Sequence, residues 1–266
     1  DGAVTQNGAG AVSITAPRRI TTTGDAVSLA TGVTLGGAGT TLIDTTASGN
    51  AAGNNITFGS TLTGTTAGAD SLTLTAGTGG DVKFAASVGA TRVGDIVITS
   101  GRNVTALADI TSRSLAATGI QGQIQLVGPV DTTGPVSLAA LGPINVSSIT
   151  TTSGGTVSFT NGGTLTIGGA INADGAVLQN SLGGVALNAD VTTTSDLVRF
   201  AGPVTMGGSR TIDTSSGGGG DINFANSVNG GGNDMTLNAG TAGNITFNGV
   251  LTNFGALNLS TVNNLA

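Results

Sequence analysis

Cysteine, histidine, tryptophan, tyrosine and glutamate are all absent from the 266 residues, and lysine occurs once. Without cysteine there is no disulfide, no thiol nucleophile and no sign of a redox compartment. Without histidine there is no imidazole base and no ordinary zinc site. The loss of glutamate and near-loss of lysine removes the side chains that usually clothe a surface helix, which argues against a helical fold. Acidic residues, all aspartate, number 14 against 8 basic ones, a net charge of −6. That balance argues against nucleic acid as a partner, because phosphate contacts need clustered Lys and Arg. No apolar run reaches the length of a membrane-spanning helix. The chain starts at Asp1 with neither Met nor a charged-then-apolar leader, so Asp1 is not expected to be a nascent N-terminus.

What remains is dominated by 47 glycines and 44 threonines. Gly and Pro together make about one fifth of the chain, below the roughly 25–30% of low-complexity sequences. The apolar residues are few but regularly placed. Most fall in alternating pairs such as Ile56-Thr57-Phe58, Val82-Lys83-Phe84, Val157-Ser158-Phe159 and Ile245-Thr246-Phe247. Alternation is the strand period, and each unit is bounded by the turn residues Gly, Asn or Asp.

The starts Val136, Ile144, Val157, Leu165, Val177, Val185, Leu197 and Val204 alternate between short and long gaps, and each pair of gaps spans about 20 residues. The longer gap contains a third mark, an isolated Ile or Val followed by short polar residues. It appears at Ile110, Val130, Ile149, Ile171, Val191 and Ile212, and Ile20 and Ile43 are expected to continue the same column. Three short strands per coil of about 20 residues describe an all-β chain, a right-handed parallel β-helix or β-solenoid. The chain would hold 12–13 coils as a single continuous β-helix over residues 1–266, about 60 Å long at ~4.8 Å per coil. Inward aliphatic residues stack like on like, and nearly every backbone group pairs with the coil above or below.

A longer repeat overlies the coil. Asp1-Gly2-Ala3-Val4-Thr5-Gln6-Asn7 matches Asp174-Gly175-Ala176-Val177-Leu178-Gln179-Asn180, and the stretch Leu72–Phe84 matches Met235–Phe247. The chain therefore holds about one and a half copies, 1–173 and 174–266. It shows no polar cap at either end, so end-to-end stacking or a longer parent chain is expected.

The Gly243-Asn244-Ile245-Thr246-Phe247 and Met235-Thr236-Leu237-Asn238-Ala239-Gly240 wording, repeated in a Gly-, Thr- and Asn-rich chain, resembles large bacterial surface and secreted proteins. These are the filamentous-haemagglutinin-like and autotransporter-like adhesins with β-helical stalks. The resemblance covers essentially the whole chain. It implies a β-helical fold, an extracellular or cell-surface location and a structural job, and it carries across no functional residue.

Candidate sites are few. Ser216–Asn223 faintly resembles a calcium nonapeptide repeat but occurs once, so a flexible corner is expected. Asp25, Asp44, Asp81, Asp95, Asp131, Asp196, Asp213 and Asp221 recur near corners. Unaccompanied by His or a Lys base, they are expected to cap turns through their own backbone rather than to catalyse. The arginines Arg18, Arg19, Arg92, Arg102, Arg113, Arg199 and Arg210 are scattered, as solvated surface residues would be. Threonine columns raise ice binding, but Asp, Asn, Lys and Arg interrupt them. Asn-x-Ser/Thr sequons at Asn55, Asn103, Asn145, Asn244 and Asn258 matter only in a glycosylating host.

These readings favour a structural extracellular segment of a bacterial surface filament or adhesin stalk, stacking on copies of itself end to end or laterally, or on the rest of a longer chain. The alternative is a multivalent binding module for a cell, carbohydrate or ice on the same scaffold. An enzyme is not expected. Neither are a catalytic, cofactor or metal site, a nucleic-acid partner, or membrane insertion by this segment.

Overall fold

A three-residue strand buries too little to stand alone, so its two inward side chains must meet the same positions of the next coil. The computed structural model describes residues 2–266; Asp1, which opens the first repeat word, lies outside them. The chain is an all-β parallel β-solenoid of about 12 turns with about 21 residues per coil, and no α-helix occurs among the described residues. The described residues fall into two units. The first runs to Thr133 and takes in Leu138–Gly142; the second comprises Gly134–Ser137 and Pro143–Ala266.

In the first unit, one inward column runs Val4, Val27, Ile56, Val82, Val104 and Ile124, all paired parallel. A second runs Val12, Val33, Leu62, Val88, Ile110 and Val130. A third runs Ile20, Ile43, Leu74, Ile98 and Ala117. Ile20 and Ile43 therefore do not continue the Ile110 column, as the sequence suggested; they sit on the next face.

In the second unit the corresponding columns are Ile144–Leu165–Val185–Val204–Val228, Ile149–Ile171–Val191–Ile212–Leu237 and Phe159–Gln179–Phe200–Phe224–Phe247. Ile149, Ile171 and Val191 are fully buried and in direct register. Leu197 is only half-buried; the strand that it was expected to open begins at Val198, which is fully buried.

Two coils of the first unit depart from three short strands. Val88–Ser100 and Ile110–Ile120 are 13 and 11 residues long and carry one strand through the corner, with register shifts between Val88 and Val93 and between Ile98 and Ser100. Elsewhere the corners absorb the variation in coil length. From Val27 to Ile56 the chain spends 29 residues, including the short turn Ala47–Gly49, whereas Val185 to Val204 takes 19.

Glycine is dictated where coils touch backbone to backbone. Gly53 has φ +59° and Gly219 φ +110°; a β-carbon on either would sit 2.1 Å from Ala76 O and 1.9 Å from Ala239 O respectively. No side chain fits there.

Candidate functional site

The polar chemistry lies at the corners. Five buried threonines, Thr22, Thr45, Thr151, Thr193 and Thr214, turn inward and donate to a carbonyl across the corner. The acceptors are Asp25 O, Asn54 O at 2.9 Å, Gly155 O, Asp196 O at 2.6 Å and Gly220 O at 2.5 Å. Each belongs to an Ile/Val-x-Thr word, with the aliphatic residue inward, x outward and the Thr hydroxyl closing the turn. The word marks a corner, whichever face precedes it, and that is why Ile20 and Ile43 looked like members of the Ile110 column.

A second device uses glutamine. Gln179 stands in the core where its neighbours in the column are Phe159 and Phe200. Its Oε1 accepts from Ala201 N and Gly202 N, both at 2.8 Å. Its Nε2 lies within 2.7–3.2 Å of Asn161 Oδ1, Ser181 O, Ser181 Oγ and Gly183 O. Asn161 Nδ2 in turn donates to Gly163 O and Gly184 O. Gln6, its counterpart in the repeat word, makes the matching bonds: Oε1 accepts from Ala30 N and Thr31 N, and Nε2 donates to Gly8 O and Gly10 O. Replacing Gln179 by leucine keeps the volume but strands Gly202 N, while Ala201 N keeps its 3.1 Å bond to Gln179 O and Asn161 Oδ1 keeps the Ser181 hydroxyl. A loss of about 1–3 kcal/mol is expected from the buried donor left unpaired, read as a shifted urea midpoint. A loss under about 1 kcal/mol would mean that water replaces the amide.

The corner aspartates divide. Asp44 and Asp213 do cap their own turns, accepting from Thr46 N and Ser215 N two residues on. Asp25 accepts from Gly2 N, Asp221 from Asn244 N and Nδ2, and Asp196 meets Thr193 through its backbone alone. Asp81, Asp95 and Asp131 correct the expectation, since they pair with arginines of other coils: Asp81 with Arg102 at 2.5 Å and Asp95 with Arg113, each one coil on, and Asp131 with Arg92 at 2.8 Å, two coils back. Arg92, Arg102 and Arg113 are therefore not free solvated residues. Hydrogen bonding from Arg102 outweighs burial and, with Asn103, holds Asp81 below its ordinary pKa; Arg113 and Ser114 do the same for Asp95. These pairs are partly exposed and add little stability.

No group of three or more His, Cys, Asp or Glu is placed to hold a metal among the described residues. Ser216–Gly218 of the calcium-like word forms a short turn, with φ +68° at Gly217.

One concavity stands out in the second unit, a groove of about 330 Å³ across three consecutive coils. Its outward side chains form two rows of three. One row is Thr150, Asn172 and Thr192, held in direct register; the other is Thr152, Asp174 and Thr194. The intervening side chains point into the core, because each coil alternates at this strand. Left-handed corners at Ser153 and Ser195, φ +54° and +69°, follow the second row. Asp174 accepts from Gly154 N at 2.8 Å and from Thr194 Oγ1 at 2.7 Å, and these bonds lower its pKa. In the sequence these words look like strand marks, and nothing in any one of them signals a groove. The available signal was three successive coils with polar residues at both outward positions.

The fold and these corner devices define a β-solenoid repeat protein. No family model matches the chain, and neither does any curated protein or solved structure.

Proposed function

We propose that the chain is a structural, extracellular segment of a bacterial surface filament or adhesin stalk, akin to the filamentous-haemagglutinin-like and autotransporter-like proteins that its wording resembles. Its partners are copies of itself or the rest of a longer chain. The observation that carries this reading is the stacked, mostly apolar inward columns of each unit, with the backbone of the coils hydrogen-bonded to their neighbours. Such a ladder resists local opening and proteolysis because no coil exposes an edge between its neighbours. Three cross-coil Asp–Arg pairs and repeated threonine turns add register without needing a ligand.

Electron microscopy of native material, with limited proteolysis of the same sample, tests the proposal. Filaments or stalks at a cell surface that survive protease are expected. Discrete intracellular particles would overturn it.

A further inference from the structure

The groove over Thr150, Asn172 and Thr192 has a chemistry that the stalk proposal does not need. Among the described residues, the hydroxyls of Thr150, Thr152 and Thr192 and the carboxamide of Asn172 have no hydrogen-bond partner, and all four side chains are exposed. They line the groove together with Asp174, which is already satisfied by Gly154 and Thr194 and kept ionised by those bonds. No Arg or Lys lines the groove. A fixed negative charge without a countercharge disfavours phosphate, sulfate and uronate ligands. No aromatic ring lines it either, so affinity must come from hydrogen bonds and from contact with threonine methyl groups.

Rows of donors and acceptors repeat at the coil spacing of about 4.8 Å, comparable to the length of one sugar ring in an extended glycan. The Asn172 carboxamide offers a donor and an acceptor side by side, the pattern that two adjacent sugar hydroxyls satisfy. Asn172 and Asp174 interrupt the threonine rows at the middle coil, which breaks the uniform hydroxyl lattice that an ice face requires.

We propose that this groove is a binding site for a neutral, extended polysaccharide strand lying across the coils, about three sugar rings long. Without a stacking platform, a single site binds weakly, with Kd of about 1 mM. Useful retention then needs several sites on one fibre. The proposal does not depend on where the chain resides or on whether it is a stalk.

The test is an NMR titration of the full chain with cellohexaose, xylohexaose, mannohexaose and chitohexaose, and with a polygalacturonate hexamer as the charged comparison. At least one neutral hexamer is expected to shift the amides of residues 150–152, 172–174 and 192–194. Thr192→Lys, an exposed change in the groove, is expected to weaken that binding at least tenfold, whereas Thr205→Lys, on a different face, leaves it unchanged. Melting curves show that both variants stay folded. Four outcomes would overturn the proposal: no shifts with any neutral hexamer, shifts elsewhere on the chain, binding indifferent to Thr192→Lys, or binding of polygalacturonate alone.

Discussion

Asp70→Ala is expected to destabilise the first unit by about 2–4 kcal/mol, because two part-buried donors, Ala38 N and Thr66 N, lose a charged acceptor at roughly 1–3 kcal/mol each, while Thr65 N keeps Leu35 O at 2.8 Å. Asp70 is fully buried. Its Oδ1 accepts from Ala38 N at 2.9 Å, and its Oδ2 accepts from Thr65 N at 2.8 Å, Thr66 N at 2.9 Å and the Thr65 hydroxyl at 3.1 Å. One carboxylate thus fastens the corner of one coil to that of the next. It also steadies Ala38, which lies in the left-handed region at φ +49° without being glycine. Burial pushes the carboxyl up, but the bonds from Thr66, Ala38 and Thr65 together outweigh it and hold the pKa below its ordinary value of 3.8. A folded-state pKa below the unfolded one means that the stabilisation is complete above about pH 4–5 and is lost as pH falls below 3.8 towards the folded value. Unfolding free energies of the wild type and Asp70→Asn, followed from pH 6 to pH 2, are therefore expected to differ most at pH 6 and to converge at the acid end. A constant gap across that range would show that Asp70 acts through shape and not through charge.

The coil was legible because a period-2 alternation with a constant longer period leaves few architectures open. Face assignment was less legible. The word Ile20-Thr21-Thr22 and the word Val191-Thr192-Thr193 share a corner threonine bond, to Asp25 O and Asp196 O, yet similarity of wording says only that a corner follows. The aspartate–arginine pairs were in reach of the sequence. Asp81 and Arg102 are 21 residues apart and Asp95 and Arg113 are 18 apart, about one coil in each case, so solenoid period and charge sign together could have matched them. Asp70 and Gln179 were hidden for a different reason. Each is a polar residue whose partners are mostly backbone groups, and backbone groups leave no mark in a sequence. The groove escaped because it depends on the alternation of three coils together with the left-handed turns at Ser153 and Ser195.

Phe224→Ala is the other substitution expected to have a large effect, about 3–5 kcal/mol for the lost transfer energy and the cavity left behind. Phe224 is fully buried between two rings: Phe200, with centroids 5.8 Å apart and planes at 27°, and Phe247, at 5.2 Å and 5°. Each stack is worth about 0.5–1.5 kcal/mol beyond the area that it buries, so the central ring loses two such contacts where Phe200 or Phe247 would lose one. The surrounding backbone cannot collapse into the space, because Ile222–Phe224 is laddered to Val198–Phe200 on one side and Ile245–Phe247 on the other. Coupling in a solenoid runs between nearest neighbours, so the damage should be directional. Beyond Phe224, the strands Leu251–Thr252 and Asn264–Leu265 are exposed and hold on through few contacts, whereas Ile144–Val146 sits in an intact column. Hydrogen exchange is expected to show residues 245–265 opening first in Phe224→Ala while residues 144–167 keep their protection. Phe224→Leu, which keeps most of the volume but gives up both stacks, should lose about 1–3 kcal/mol. If both variants instead lowered protection evenly across the second unit, the coils would be melting as one cooperative block, and the solenoid would yield all at once and not from the damaged coil outward.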